Sequence, residues 1–295
     1  MMRRYAAILI PVLGVLVASP AEAAFENFTV DPRARAMGET GVSLDEAGYA
    51  ATVNPAGLGR LAGRGAVAAS YVQPFGLDFH GLYYLGAALP VPGRSGGVGV
   101  ALRQYGVEFE GVDLQTETTL SLSYGVPLYE DIHSRIAVGV GLNVMRLEFG
   151  ETVSGLDPGT DTSLGVDAGL MATLHDHIHM GVLVHNVNAP KIGIDEEELP
   201  RRIQAGLAYE PYTGVVTVME MESLHGGEVQ WHGGIEVEVV ERFVLRTGLL
   251  TRPNKLTAGF GYTFAGASLN YGFSTGGGVL DSSHQFGLGW AWGGE

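Results

Sequence analysis

The stretch Leu256-Thr257-Ala258-Gly259-Phe260-Gly261-Tyr262-Thr263-Phe264 decides the fold. Its large apolar side chains and Ala258 hold the even positions, while Thr and Gly hold the odd ones. A period of two sends alternate side chains to opposite faces of a β-strand. The same period returns in Leu269, Tyr271 and Phe273 against Ser268, Asn270 and Gly272, and in Phe286, Leu288, Trp290 and Trp292 against Gly287, Gly289 and Ala291. A soluble sandwich alternates as well. Here, however, the second face carries Gly, Ser, Thr and Ala in place of Lys and Glu, which suits a barrel interior better than a sheet facing water. Runs of roughly ten such residues recur about 14 times. The expected fold class is therefore all-β: a transmembrane antiparallel β-barrel with a short N-terminal luminal plug segment.

Composition agrees with a chain that shows little of itself to water. Only 17% of the 295 residues are charged, 46% are hydrophobic, 45 are glycine and none is cysteine; soluble domains carry about 25% charged residues. No run beyond the N-terminus is long and apolar enough for a membrane helix, which needs about 18 residues, so any crossing of a membrane falls to strands. The N-terminus itself reads as a secretory signal peptide over residues 1–23: Arg3 and Arg4, an apolar stretch from Tyr5 to Val17, then the small-x-small pattern Ala21-Glu22-Ala23. Ala24 follows, where a lipoprotein would have cysteine. Removing Arg3, Arg4 and Glu22 takes the formal charge from −15 to −16, which argues against a nucleic-acid partner. The lack of cysteine removes disulfides and thiolate metal sites from consideration.

Connection lengths sort into two classes, as they do in outer-membrane barrels with short periplasmic turns and longer external loops. Short connections fall at Pro92-Gly93-Arg94, Glu130-Asp131, His175-Asp176-His177, Pro211-Tyr212-Thr213, Glu241-Arg242 and Ala265-Gly266. Longer ones run from Gly150 to Thr162, Asn188 to Pro200, Ser223 to Glu228 and Thr275 to Ser283, and the two classes interleave. The barrel is expected over residues 65–295 and a plug or periplasmic segment over residues 24–64. That segment does not alternate; Ser43 or Asp45 is placed to cap a short helix ahead of Asn54-Pro55.

Two patches resemble a known family. Arg35-Ala36-Met37-Gly38, then Gly41-Val42-Ser43-Leu44-Asp45-Glu46-Ala47, then Asn54-Pro55-Ala56-Gly57-Leu58 resemble the N-terminal signature of the FadL superfamily of outer-membrane proteins, which includes the PorV and PorQ group. The Asn-Pro-Ala-Gly-Leu element matches in full, while Glu39-Thr40 stands where the family has glycine and a small residue. Farther on, Asn186-Val187-Asn188 leads through an acidic loop to Leu199-Pro200-Arg201-Arg202 and Gly206-Leu207-Ala208-Tyr209, which resembles PorV-type barrels except for Asn188 in place of glycine. The resemblance implies a bacterial outer-membrane barrel whose plug motif is Asn54, Pro55, Ala56, Gly57 and Leu58. It implies two functions. One is a non-enzymatic carrier or docking component in protein export or surface attachment, with type IX secretion components or exported proteins as partners. The alternative is a FadL-like passive channel for uptake of hydrophobic small molecules. Outer-membrane lipid is a partner in both. The outer loops lack long apolar inserts, so the carrier reading is the first expectation.

Strand parity places Arg103, Asp167, Arg202, Glu236, Glu238 and Arg246 in the lumen, because each is flanked in sequence by apolar residues that face lipid. A charge on the lipid face costs about 2 to 4 kcal/mol near the midplane. The inward set reads as a polar conduit, as contacts holding the plug, or as an ion-pair network that fills the barrel. His175, His177 and His179 alternate but straddle a turn, and no metal or other cofactor is expected. His185 and His80 read as lone wall or interface residues. No G-x-S-x-G, H-E-x-x-H or Walker-type element is present, so an enzyme is not expected. Tyr83, Tyr124, Tyr209, Tyr262, Trp290 and Trp292 form the aromatic girdles. A lateral opening would need a kinked strand, and Gly97, Gly99 and Gly106 are the candidates for one.

Overall fold

In a computed structural model the stretch around Phe260 is one strand, Lys255–Phe264, in the wall of a closed antiparallel barrel of fourteen strands. The structure describes residues 25, 29–92, 96–150, 159–193, 196–224, 227–277 and 280–293. The expected signal peptide, the turn residues Gly93 and Arg94, part of the loop from Gly150 to Thr162, Asp195 and the last two residues lie outside the described residues.

The wall consists of β1 (Gly65–Gln73), β2 (His80–Pro90), β3 (Gly97–Phe109), β4 (Val112–Glu130), β5 (Ser134–Phe149), β6 (Thr160–Leu174) and β7 (Ile178–His185), followed after a small hairpin, β8 (Lys191–Ile192) and β9 (Glu197–Glu198), by β10 (Arg202–Tyr212), β11 (Val215–Leu224), β12 (Val229–Val240), β13 (Phe243–Leu250), β14 (Lys255–Phe264), β15 (Ala267–Ser274) and β16 (Ser283–Trp292). Each wall strand pairs with its neighbours in chain order, and β1 closes on β16 with Gly65 opposite Trp292 and Tyr71 opposite Phe286. Closure leaves no wall edge with unpaired backbone groups, the condition for spanning lipid with strands.

The alternation appears as two surfaces. Leu85, Leu122, Val140, Leu207, Leu245, Leu256 and Leu288 are exposed on the outside, and so are all six expected girdle aromatics. Thr257, Ser70, Ser121, Ser123 and Gln285 are buried on the inside. A belt of that chemistry is stable only against hydrocarbon. Leu122, 56% exposed near the middle of β4, tests it: Leu122→Lys is expected to cost about 2 to 4 kcal/mol of folding free energy in lipid vesicles, read by reversible urea unfolding. A loss within experimental error would place this face in water.

Short connections gather at one end, at 131–133, 175–177, 213–214, 241–242 and 265–266, and longer ones at the other. The β3–β4 connection departs from that sorting. It is a two-residue turn, Glu110-Gly111, at the long-loop end, and both residues have positive φ (52° and 79°), as a tight hairpin requires. There the strands replace the loop: β4 runs for 19 residues. β3 also shows no opening at its glycines. It is paired with β2 from Gly97 to Val107 and with β4 over the same residues. Gly97 and Gly99 make room for Leu58 and Leu61, and a Cβ at Gly106 would meet open space.

Candidate functional site

The N-terminal segment lies inside the barrel. Asp31 caps the short helix α1 (Pro32–Ala36), its Oδ1 accepting from Arg33 N at 2.8 Å, and Pro32 supplies the fixed φ at the first turn. A second short helix, α2 (Ala50–Val53), precedes Asn54, whose Oδ1 accepts from Ala56 N at 3.1 Å and so caps the 3-10 turn Pro55–Arg60. The Asn54 amide also donates to Val42 O at 2.8 Å and to Leu170 O of β6 at 3.4 Å. One side chain thereby ties the cap, the preceding turn of the plug and the wall together. The rest of the motif packs: Ala56 and Leu58 are fully buried, Leu58 against Ala50, Leu61 and Ala88, and Gly57 sits where a Cβ would crowd Ala50. Asn54→Ala is expected to lose about 1 to 3 kcal/mol, because it removes a cap and strands buried carbonyls. Faster hydrogen exchange across residues 50–60 is the measurement; unchanged protection would refute the assignment.

Wall side chains satisfy the plug's backbone. Ser70 Oγ donates to Val30 O, Thr257 Oγ1 donates to Ala36 O and accepts from Gly38 N, Ser123 Oγ donates to Ala51 O, and Gln285 Nε2 donates to Val30 O. Glu220, which is buried on β11, accepts from the N–H groups of both Gly41 and Val42. Inward glycines let the plug's main chain lie on the wall itself: Gly272 and Gly287 meet Pro32, Gly234 meets Met37, Gly181 meets Val42, and Gly139 meets Pro55. This close approach is what much of the glycine accomplishes.

The charges named from parity fall into separate places. Glu236 accepts from Arg33 Nε at 2.9 Å and Nη2 at 2.7 Å, and from Arg246 Nε at 2.5 Å, while Arg33 also reaches Glu46 at 2.8 Å. Arg246 donates further to Asn270. Plug and wall are thus joined by a buried network with carboxylates shared between cations. Glu238 has the inward parity but not the position: it is exposed at the short-turn rim, where its Oε1 accepts from Arg242 N. Parity assigns a face, whereas height along the strand decides burial.

Arg103, Asp167 and Arg202 meet at the other end, around a cavity of about 70 Å³ beneath the long loops. Leu199 and Pro200, which follow β9, line it together with Phe25, and Leu199 is buried with Met145, Leu147 and Ile192. Asp167 is held by Asn143 Nδ2 at 2.8 Å, His185 Nδ1 at 3.0 Å and Asn186 N at 3.0 Å. Arg202 bridges to Glu222 at 3.3 Å, and Arg103 donates to Thr119 Oγ1 at 3.3 Å. Sequence reasoning missed Arg33, Glu46, Asn143 and Thr119, and it read His185 as a lone wall residue. The parity of β7, with Leu183 buried and Val182 exposed, would have turned His185 inward.

The turn histidines stay apart. His133 bonds Asp176 at 2.7 Å and thereby holds that carboxyl below the usual carboxylate range; His177 lies against Glu210 O, and His179 against Thr173. Among the described residues no three His, Cys, Asp or Glu side chains converge on a metal position. Glu220 and Glu222 both accept from Gln204 Nε2, at 3.2 and 2.9 Å, whereas Glu236 is engaged separately with Arg33 and Arg246.

Solved structures share this architecture. The toluene transporter TbuX of Ralstonia pickettii superposes with a TM-score of 0.59 at 14% identity, over 88% of this chain and 96% of that one. The Pseudomonas putida toluene transporter TodX gives 0.61 at 12% identity, over 90% and 98%. A Pseudomonas aeruginosa FadL homologue gives 0.57 at 12% identity, over 91% and 99%. No protein-family model matches the sequence, and no curated protein does. At these identities the likeness is one of fold, and the chain has the fourteen-strand membrane-barrel fold of these transporters.

Proposed function

We propose that the chain is an outer-membrane channel for passive uptake of hydrophobic small molecules, without enzymatic activity, and a FadL-superfamily member in the broad sense. The observation that carries this reading is a barrel of transporter fold whose axis is filled by its own N-terminal segment, with a cavity left where Phe25 and Thr52 of that segment face Leu199 and Pro200 of a long connection. A filled axis suits a selective path rather than an open aqueous pore. The carrier or docking role expected first from the PorV and PorQ resemblance draws no support from the likeness to hydrocarbon transporters, and the uptake alternative is the better supported of the two. Mature protein in lipid vesicles tests it. Toluene influx several-fold above protein-free vesicles, with no ion conductance, is the expected result. Absence of influx, together with near-stoichiometric recovery of exported or secretion-system proteins from native membranes, would reverse the order of the two readings.

A further inference from the structure

The lipid-facing wall is recessed at Ala205. On β10 the outward positions are Ile203, Ala205, Leu207 and Tyr209, and the strand register sets Ala205 between Val182 of β7 and Met221 of β11. A single methyl group in a row of long side chains leaves a groove of about 290 Å³, walled by Val182, Leu207, Met219, Met221 and Trp231. That is close to the roughly 300 Å³ at which small-molecule pockets begin. The groove is a depression and not an opening, because β10 pairs with β7 and with β11 without a break from Arg202 to Tyr209. Val182, Leu207, Met219 and Trp231 are exposed on the outer face, where hydrocarbon is the surrounding medium. Unbranched methionine side chains let such walls mould to a flexible chain.

A cation stands at the long-loop end of the same face. Arg201, just ahead of β10, has the outward parity of Ile203 and Ala205. It is separated from Ala205 by about 13 Å of chain at the roughly 3.3 Å rise per residue of a strand. Its Nη2 donates to Val187 O at 3.2 Å, and its Nε is buried without a hydrogen-bond partner. The carboxylates at this rim go elsewhere, Glu222 to Arg202 and Glu228 to Arg252. Arg252 lies on the β12 side of the groove, its Nη1 donating to Val229 O at 3.1 Å. Its pair with Glu228 is long, at 3.3 Å, and exposed, so it holds the guanidinium weakly.

We infer that this recess is a binding site for one anionic, phosphate-bearing membrane lipid, with an acyl chain in the groove over Ala205, the phosphate on Arg201, and Arg252 as the second cation. The planar fork of an arginine matches phosphate oxygens, and the pairing is strong at the edge of a hydrocarbon layer, where the dielectric is low. A second copy of this chain is a poorer occupant, since a two-fold contact needs a self-complementary patch and this one is concave on both copies. A neutral hydrocarbon fills the groove but leaves Arg201 idle. The site lies outside the lumen and stands independently of the uptake reading.

Dioleoylphosphatidylglycerol is the probe, with dioleoylphosphatidylcholine as the comparator of equal chain length. Native mass spectrometry of the mature protein released from mixed micelles is expected to show one phosphatidylglycerol retained, with a preference of about tenfold over phosphatidylcholine. Arg201→Gln is expected to remove that preference, and Ala205→Leu, which fills the groove, to lower retention of both lipids by roughly fivefold or more. Ala258→Leu, at an exposed outward position on β14, is the control and should retain lipid as the parent does. Heat-modifiable gel mobility checks that each barrel is folded, and Ala205→Val takes the place of the leucine variant if that one does not fold. Retention that survives both Arg201→Gln and the filling of the groove overturns the site. So does displacement of phosphatidylglycerol by inorganic phosphate alone, which would leave the acyl chain without a role, or displacement by toluene with no effect of Arg201→Gln, which would make the groove a hydrocarbon site.

Discussion

Glu236→Ala is expected to unseat the N-terminal segment from the barrel, at a cost of about 3 to 5 kcal/mol, because removing one partner of a buried ion network leaves the others charged and unpaired. Glu236 receives three hydrogen bonds, two from Arg33 on the plug and one from Arg246 on the neighbouring strand. After truncation, among the described residues, the Arg33 guanidinium keeps Glu46 and the Arg246 guanidinium keeps Asn270. Both cations then repel across the space the carboxylate filled. The measurement is limited proteolysis of the folded protein, with cleavage within residues 29–64 expected in the variant and not in the parent. Arg33→Ala combined with Glu236→Ala is expected to lose less than the sum of the two single changes, since the residues act on one interaction. An intact plug and an unchanged unfolding midpoint in Glu236→Ala would show that the network fills space without holding the segment.

Gly139→Val is expected to displace the plug by shape rather than charge. Gly139 on β5 and Gly125 opposite it on β4 face inward beneath the Asn54-Pro55 turn. A Cβ at either position would overlap the Pro55 carbonyl, and at Gly125 it would also stand 2.6 Å from Gly59 N. The overlapping atoms are backbone on both sides and cannot swing away as a flexible side chain would. Overpacking of this kind costs about 1 to 3 kcal/mol even for small groups. Because the strand ladder is unaffected, the barrel should stay closed while the plug leaves, opening the lumen. Planar-bilayer conductance is expected to rise roughly tenfold or more as a plugged barrel becomes a hollow one. Gly106→Ala, at a position with open space around it, is the control and should remain silent. A quiet Gly139→Val barrel would mean that the plug does not seal the axis.

The two variants probe parts of the structure that differ in how plainly the sequence announces them. The Asn54-Pro55-Ala56-Gly57-Leu58 run stands out because a capping residue before proline has few uses other than starting a tight helical turn. Glu236 stands out only as an acid on the inner parity, the same description that fits Glu238, yet one anchors the plug and the other is exposed at the rim. The reason is geometric: alternation repeats along the whole strand and carries no record of depth.

The period of two from Leu256 to Phe264 and in its companions determined, without any contact information, that the chain is a membrane-type barrel and which side chains face inward, because the pleat of a strand is a local property. Tertiary structure alone decided which inward residues meet. Arg33 finds Glu236 across 203 positions, Arg35 finds Gln285 across 250, and Arg103 finds no carboxylate among the described residues. Those outcomes depend on the path of a non-repeating segment through the lumen and on the stagger of the wall strands around it. Neither leaves a period in the sequence, and both are set by which buried donors, acceptors and charges can be partnered together.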